Sequence, residues 1–301
     1  MDSCHFLRSV VHHDGAMSRN TIKTTFLLTL LGAVLIAIGG LVGGRGGLVI
    51  GLAFALLFTG GSYWFSDSIA IRAARAVPVS EEQMPDYYAV VRDLTTRAGM
   101  PMPRLYVTPD AQPNAFATGR NPDHAAVAVT QGILQICSWD EMRGVLAHEI
   151  SHVGNRDILI SSVAATIAMA ITMLARMAAW GGLFFGGRDN EGENIFEILA
   201  LVILAPLAAV LLQLALSRSR EFEADRSGAR LIGDGEPLAR ALSKLDAASR
   251  QIPMPLARRE MAPLYIVSPL AGMNVSFKSL FSDHPPTDER IRRLRDREWA
   301  R

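Results

Sequence analysis

The stretch "VLAHEISHVGNRD", Val145–Asp157, carries two histidines four residues apart, with a glutamate directly after the first. Positions i and i+4 share one face of a helix, with Cβ atoms about 5–6 Å apart, so His148 and His152 can present ring nitrogens to one ion. Zinc takes imidazole nitrogen at about 2.0–2.1 Å. Glu149 is turned by about 100° from His148, too far to share the metal and near enough to reach a water beside it. That is the place of a general base for hydrolysis. Val145, Leu146, Ile150 and Val153 flank the pair and put the helix in a core. Buried histidines need partners, and a metal supplies them. Upstream, Ser138 with Glu141 three residues on has the pattern of a capping box that opens this helix.

Directly after Asp157 the chain turns apolar. Four apolar runs stand out: Thr24–Val42, Leu48–Phe65, Ile158–Trp180 (interrupted by Arg176) and Ile195–Leu216 (carrying Pro206). Each reaches the ~17–25 residues that cross a hydrocarbon core as a helix. The spacing predicts two membrane hairpins, although the second pair also reads as a buried helical hairpin. Arg19 and Lys23 precede the first run, Arg72 and Arg75 follow the second, and Arg218, Arg220 and Arg226 follow the fourth. The loops inside the pairs carry little positive charge, so both termini and the region Arg72–Asp157 are expected on the cytoplasmic side.

Composition agrees with a partly embedded chain. Half of the 301 residues are hydrophobic and the mean hydropathy is +0.21. A net charge of +1 gives no basic surface for nucleic acid. The two cysteines, Cys4 and Cys137, form neither a disulfide framework nor a Cys-based zinc site. The polar N-terminus lacks a cleavage site before the next apolar run, so an uncleaved anchor is expected, with Met17 an alternative start.

Between the pairs, "EEQMPDYYAVVRDLTTRAGM" reads as an amphipathic helix with Tyr87, Val90, Val91 and Leu94 on one face and Gly99 at its end. "RLYVT" is a strand, while "NAFATGR" and "AAVAVTQGIL" read as a hairpin about Asn121-Pro122-Asp123. Past the fourth run, "REFEADRSGARLIG", "PLARALSKLDAASRQI" and the basic "PPTDERIRRLRDREW" read as helices.

A catalytic zinc with three protein ligands needs one more donor. His124, His284 and a carboxylate are the candidates. "SRSREFEADRSGA" offers Glu221 and Asp225 at i, i+4, with Glu223 facing away. One carboxylate would bind the ion while the other accepts the outer N–H of a ligating imidazole. An out-and-back apolar hairpin returns the chain to the level it left, so Glu221 can meet His152 across a long stretch of sequence.

"NAFATG", "LAHEISHVGNRD", "SREFEADRSGA" and "DHPPTDERIRRL", in this order, resemble the HtpX-type membrane zinc metalloproteases, more distant relatives of the CAAX prenyl proteases. The resemblance runs from about Ile22 to the end. It implies a mainly α membrane protein whose α+β zincin-like (gluzincin) catalytic domain holds a small antiparallel sheet, together with two transmembrane helical hairpins. It implies one Zn2+ on His148, His152 and Glu221, Glu149 as the base, and Asp225 behind a ligand. His284 and Arg290 would lie by the site as oxyanion donors. Asn114 and Ala115 would belong to an edge strand along which an extended substrate lies.

The expected organisation is a tail over 1–21, a membrane hairpin over 22–66, the first catalytic half over 67–157, a second hairpin over 158–216 and the second catalytic half over 217–301. The expected activity is endoproteolysis of misfolded or damaged membrane proteins at a bacterial inner membrane, facing the cytoplasm. Its partners are polypeptides and the lipid bilayer, not nucleic acid. A narrow prenyl-protease-like enzyme and a scaffold with a vestigial metal site are the rival readings.

Overall fold

A computed structural model of the chain describes residues 3–163, 218–251, 266 and 285–301. The expected second apolar hairpin, beyond residue 163, and His284 lie outside the described residues.

Helix α1 covers Ser3–Ala73 and is not straight. Gly44 has φ +55°, a left-handed conformation that glycine adopts without steric cost. Beyond it the chain folds back: a Cβ on Gly32 would lie 3.9 Å from the Ala55 Cβ. Along a straight helix the same two residues would be about 34 Å apart. The first two apolar runs therefore lie side by side, with small residues at their contact. Among the described residues, Gly44–Phe65 is the one helical stretch long and apolar enough to cross a membrane; the first run meets the apolar criterion only over the shorter Leu28–Ala37. Ile50, Phe54, Leu57 and Phe65 on this stretch are each more than 60% exposed, a surface that water disfavours.

The last turns of α1 carry the soluble part. Ala70, Ile71 and Ala74 pack on Phe116, Ala126 and Ala128 of the sheet. Asp67 accepts a 2.5 Å hydrogen bond from Arg104, and the Arg120 guanidinium stacks over Trp64 at 4.7 Å.

The sheet consists of β1 (Val77–Pro78), β2 (Arg104–Thr108), β3 (Ala115–Gly119) and β4 (Ala125–Thr130), in the order β1-β2-β4-β3. The expected hairpin is present: β3 and β4 are antiparallel, with Ala117 opposite Val127 and a 3-10 turn at Pro122–His124. The expectation of an antiparallel sheet is corrected, because β2 and β4 are parallel, with Leu105 opposite Val127. The reason is topological. The returning strand of the hairpin inserts next to β2, which leaves β3 on the edge among the described strands. β4 is buried along its whole length because both of its faces are covered. Val127 and Val129 join the main core, while Ala126 and Ala128 meet α1. Such strands read as continuous apolar runs.

Helix α2 (Pro85–Ala98) buries Tyr87, Val91 and Leu94 and ends on a left-handed Gly99, as its periodicity predicts. The short α3 (Gln131–Ile136) leads into α4 (Trp139–Gly154). Its capping box is made: the Ser138 side chain accepts from Glu141 N–H, and Glu141 accepts from Ser138 N–H. Helices α5 (Arg218–Ile232), α6 (Glu236–Gln251) and α7 (Thr287–Arg295) complete the domain. α4 is central, in contact with α2, α5, α6 and β3. It does not continue unbroken into the third apolar run. Arg156 takes a left-handed φ of +56°, and helix resumes at residue 158.

Candidate metal centre

Helix periodicity places His148 and His152 on one face of α4, and both rings turn toward α5. Their Nε2 atoms lie 3.1 Å apart, with ring planes at 87°. Glu221, in the first turn of α5, completes the group: Oε2 is 3.6 Å from His148 Nε2 and Oε1 is 3.7 Å from His152 Nε2. This close approach depends on Gly228, where a Cβ would come within 2.9 Å of the His148 backbone nitrogen. Glu223 points away, exposed and paired with Arg226 at 3.2 Å. His124 is exposed on the hairpin turn, with Nδ1 2.8 Å from Asn121 Oδ1. Among the described candidates, the third donor brought to the histidines is Glu221.

These positions fit a tetrahedral ion. Bonds of about 2.0–2.2 Å at tetrahedral angles separate ligand atoms by about 3.3–3.5 Å. The three donor atoms all lie within 4.8 Å of one another, at the spacings just given. The donor set, two imidazoles and one carboxylate, is one that catalytic zinc uses.

Glu149 is buried beside the pair and accepts a 2.9 Å hydrogen bond from Ala117 N–H on β3. Burial raises its pKa above the ordinary carboxylate value, against the pull of His148 and His152. Burial also opposes the protonated His148 ring, but the Asp225 and Glu221 carboxylates outweigh it and carry the imidazole to about 9. Glu221 moves the other way. Burial favours its neutral form, yet His148, His152 and Arg290 together hold it well below the usual range.

A buried polar chain supports the donors. His148 Nδ1 lies 2.9 Å from Asp225 Oδ1, a short but off-axis contact. Asp225 in turn accepts two hydrogen bonds from Arg290, at 2.8 and 2.7 Å. Arg290 also donates to the Ile266 carbonyl at 2.7 Å, and Ile266 N–H donates to Asn114 Oδ1 at 3.0 Å. Arg290 Nη1 also lies 3.7 Å from Glu221 Oε2, so Arg290 ties α7 to the site, and Asn114, just before β3, is joined to it through Ile266. Ala115 opens β3, the edge strand. Two outward donors of that edge meet side chains: Ala117 N–H meets Glu149, and Gly119 N–H meets Ser162 Oγ at 3.3 Å.

One contact escaped the sequence reading. Asp157 Oδ2 lies 3.2 Å from His152 Nδ1. The residue belongs to the quoted motif, but its distance of five positions gives no helical reason to pair it with His152.

Two helix-borne histidines with a glutamate between them, completed by a carboxylate from a second helix, define the donor arrangement of H-E-x-x-H metallohydrolases. Residues 81–298 match Peptidase family M48, and the chain belongs to that family. It is 53% identical over 277 residues to a protein named Protease HtpX homolog from Syntrophobacter fumaroxidans, covering 91% of this chain and 98% of the relative. A Protease HtpX homolog from Syntrophotalea carbinolica is also 53% identical, with the same coverage. Among solved structures, Ste24p of S. mikatae aligns with a TM-score of 0.47 and 18% identity over 93% of this chain and 66% of that one.

Proposed function

We propose that the protein is a membrane-bound, zinc-dependent endopeptidase, and the observation that carries this is the convergence of His148, His152 and Glu221 beside the buried Glu149. In this reading His148 Nε2, His152 Nε2 and a Glu221 carboxylate oxygen hold the ion. A zinc ion bound there supplies Lewis acidity. Glu149 takes a proton from the attacking water on its carboxylate and returns it to the leaving amine nitrogen, a role suited to a carboxylate buried beside the two histidines. Asp225 holds His148 from behind, and Arg290 holds Asp225.

The edge strand β3 supports an extended polypeptide as substrate. Main-chain pairing to an edge is indifferent to side-chain sequence, which suits broad specificity. A strand added at Ala115–Gly119 would take over the Ala117 N–H and release Glu149 toward the ion. His284 and Arg290 remain in this proposal as oxyanion donors.

The apolar, exposed face of α1 supports a bilayer setting, with the catalytic domain on the cytoplasmic side of a bacterial inner membrane in a multi-pass chain. Misfolded or damaged membrane proteins are the substrates in this reading, and quality control under stress is the role. The test is zinc content and casein cleavage by detergent-purified protein, with and without chelator. Wild type should bind one zinc and cleave. Glu149→Gln should keep the zinc and lose cleavage at least ~10²-fold, the scale of a general base. Full activity in the zinc-loaded variant would rule out the mechanism.

A further inference from the structure

We infer that Asp157 is a positioning residue for His152, holding the ring so that Nε2 faces the ion. The inference rests on the zinc reading and adds a residue to it. A histidine that offers Nε2 to a metal carries its proton on Nδ1, and in a buried site that proton needs an acceptor. For His148 the neighbour at Nδ1 is Asp225, from α5, at 2.9 Å. For His152 it is Asp157, at 3.2 Å, supplied from the chain just beyond its own helix. The two rings are thus backed by separate carboxylates from different elements.

Backbone geometry makes the second contact possible. Five residues along an unbroken helix lie about 140° around its axis, so Asp157 would face away from His152 if α4 continued. Instead α4 ends at Gly154, and Arg156 adopts φ +56°, a conformation that side-chain-bearing residues rarely take. The turn is closed by Asp157 N–H donating to the His152 carbonyl at 2.9 Å. The same residue therefore returns both its N–H and its carboxylate to His152. Asp157 is itself buried, and the charge of Asp157 and of Glu221 both act on the buried Arg220 of α5. The carboxylate thus lies at the junction of α4, the resumed helix and α5.

The competing explanation is a plain helix cap, since Ser161 N–H donates to the Asp157 carbonyl where helix resumes. Serine separates the two roles. It caps a helix as well as aspartate does, but its hydroxyl is too short to reach the imidazole. Asparagine keeps both the cap and an acceptor at the right distance.

The experiment measures zinc affinity of the full chain in detergent by competition with a chromogenic chelator, with the melting temperature of the metal-free protein alongside. Asp157→Ser should bind zinc ~10–100-fold more weakly at a near-unchanged metal-free melting temperature. Asp157→Asn should stay close to wild type. Wild-type affinity in Asp157→Ser, or equal weakening in both variants, would overturn the inference. Should Asp157→Ser not fold, nitrogen-15 NMR of histidine-labelled, zinc-loaded wild type decides. A slowly exchanging Nδ1 proton on His152 supports the contact, and a rapidly exchanging one overturns it. A folded wild type that takes up no zinc would sink the metal reading itself, which the affinity of wild type reports separately.

Discussion

Arg290 on α7 grips Asp225 on α5 through two parallel hydrogen bonds, Nε to Oδ2 at 2.8 Å and Nη2 to Oδ1 at 2.7 Å, and both side chains are almost fully buried. Burial alone would raise the Asp225 pKa, but Arg290 more than reverses this and keeps the carboxylate charged beside His148. Such a pair is weak evidence of net stability, yet expensive to break from one side. Arg290→Met leaves Asp225 buried without its partner and should destabilise the domain by about 3–5 kcal/mol. Adding Asp225→Leu to that variant should recover part of the loss. Denaturant unfolding of both variants checks this, and no recovery would mean the two residues act independently.

The three carboxylates of α5 should rank by what they meet: Glu221 the paired Nε2 atoms, Asp225 the Nδ1 side of His148, and Glu223 an exposed arginine. Glu221→Ala should remove most zinc, because one of the three donors near the pair is lost. Asp225→Ala should be milder, at ~10–100-fold in affinity, since it acts through His148. Glu223→Ala should be close to silent, since that side chain is exposed and paired with Arg226. Metal content of folded, purified variants gives the order directly. A zinc-poor Glu223→Ala would contradict the register of α5.

Acid should loosen the start of α4 through Glu141. Burial opposes its ionisation, but Lys244 at 2.7 Å and the Ser138 N–H outweigh that and bring its pKa below 4.5. A carboxylate with a depressed folded pKa contributes stability above its unfolded value, and the contribution is lost as pH falls through the folded value. The window therefore lies below pH 4.5. Glu141→Gln should lower the melting temperature at pH 7 and show a flatter decline below that window. Parallel melting curves for the two proteins across the whole range would count against the pairing.

Topology is open to a direct reading. In the proposed reading, the flanking arginines put both ends of the first hairpin in the cytoplasm. A cytoplasm-specific reporter fused after Arg75 should be active, and one placed at the Gly44 turn should be silent. Activity at the turn would mean that the Gly44–Phe65 segment does not cross.

Much of the site could be read from local order. The i, i+4 spacing of His148 and His152, and again of Glu221 and Asp225, is a statement about helix faces, which depend on nothing beyond the backbone period. The Ser138–Glu141 box and the Asn121 turn are local hydrogen-bond patterns of the same kind, and the structure contains both. Arg290 was within reach only through family likeness; its bonds to Asp225 and the Ile266 carbonyl, and its approach to Glu221, join elements far apart in sequence.

By its own order, then, the sequence determined which residues share a helix face, where helices begin and which segments are apolar. Those are short-range properties of periodicity and capping. Tertiary structure alone decided that β4 runs parallel to β2, since strand order depends on packing between segments far apart. It alone turned Asp157 back on His152, since a left-handed arginine has no compositional signature. The joining of Asp225, Arg290, Ile266 and Asn114 into one chain was decided there too, because each link crosses between elements that only burial of the common core brings together.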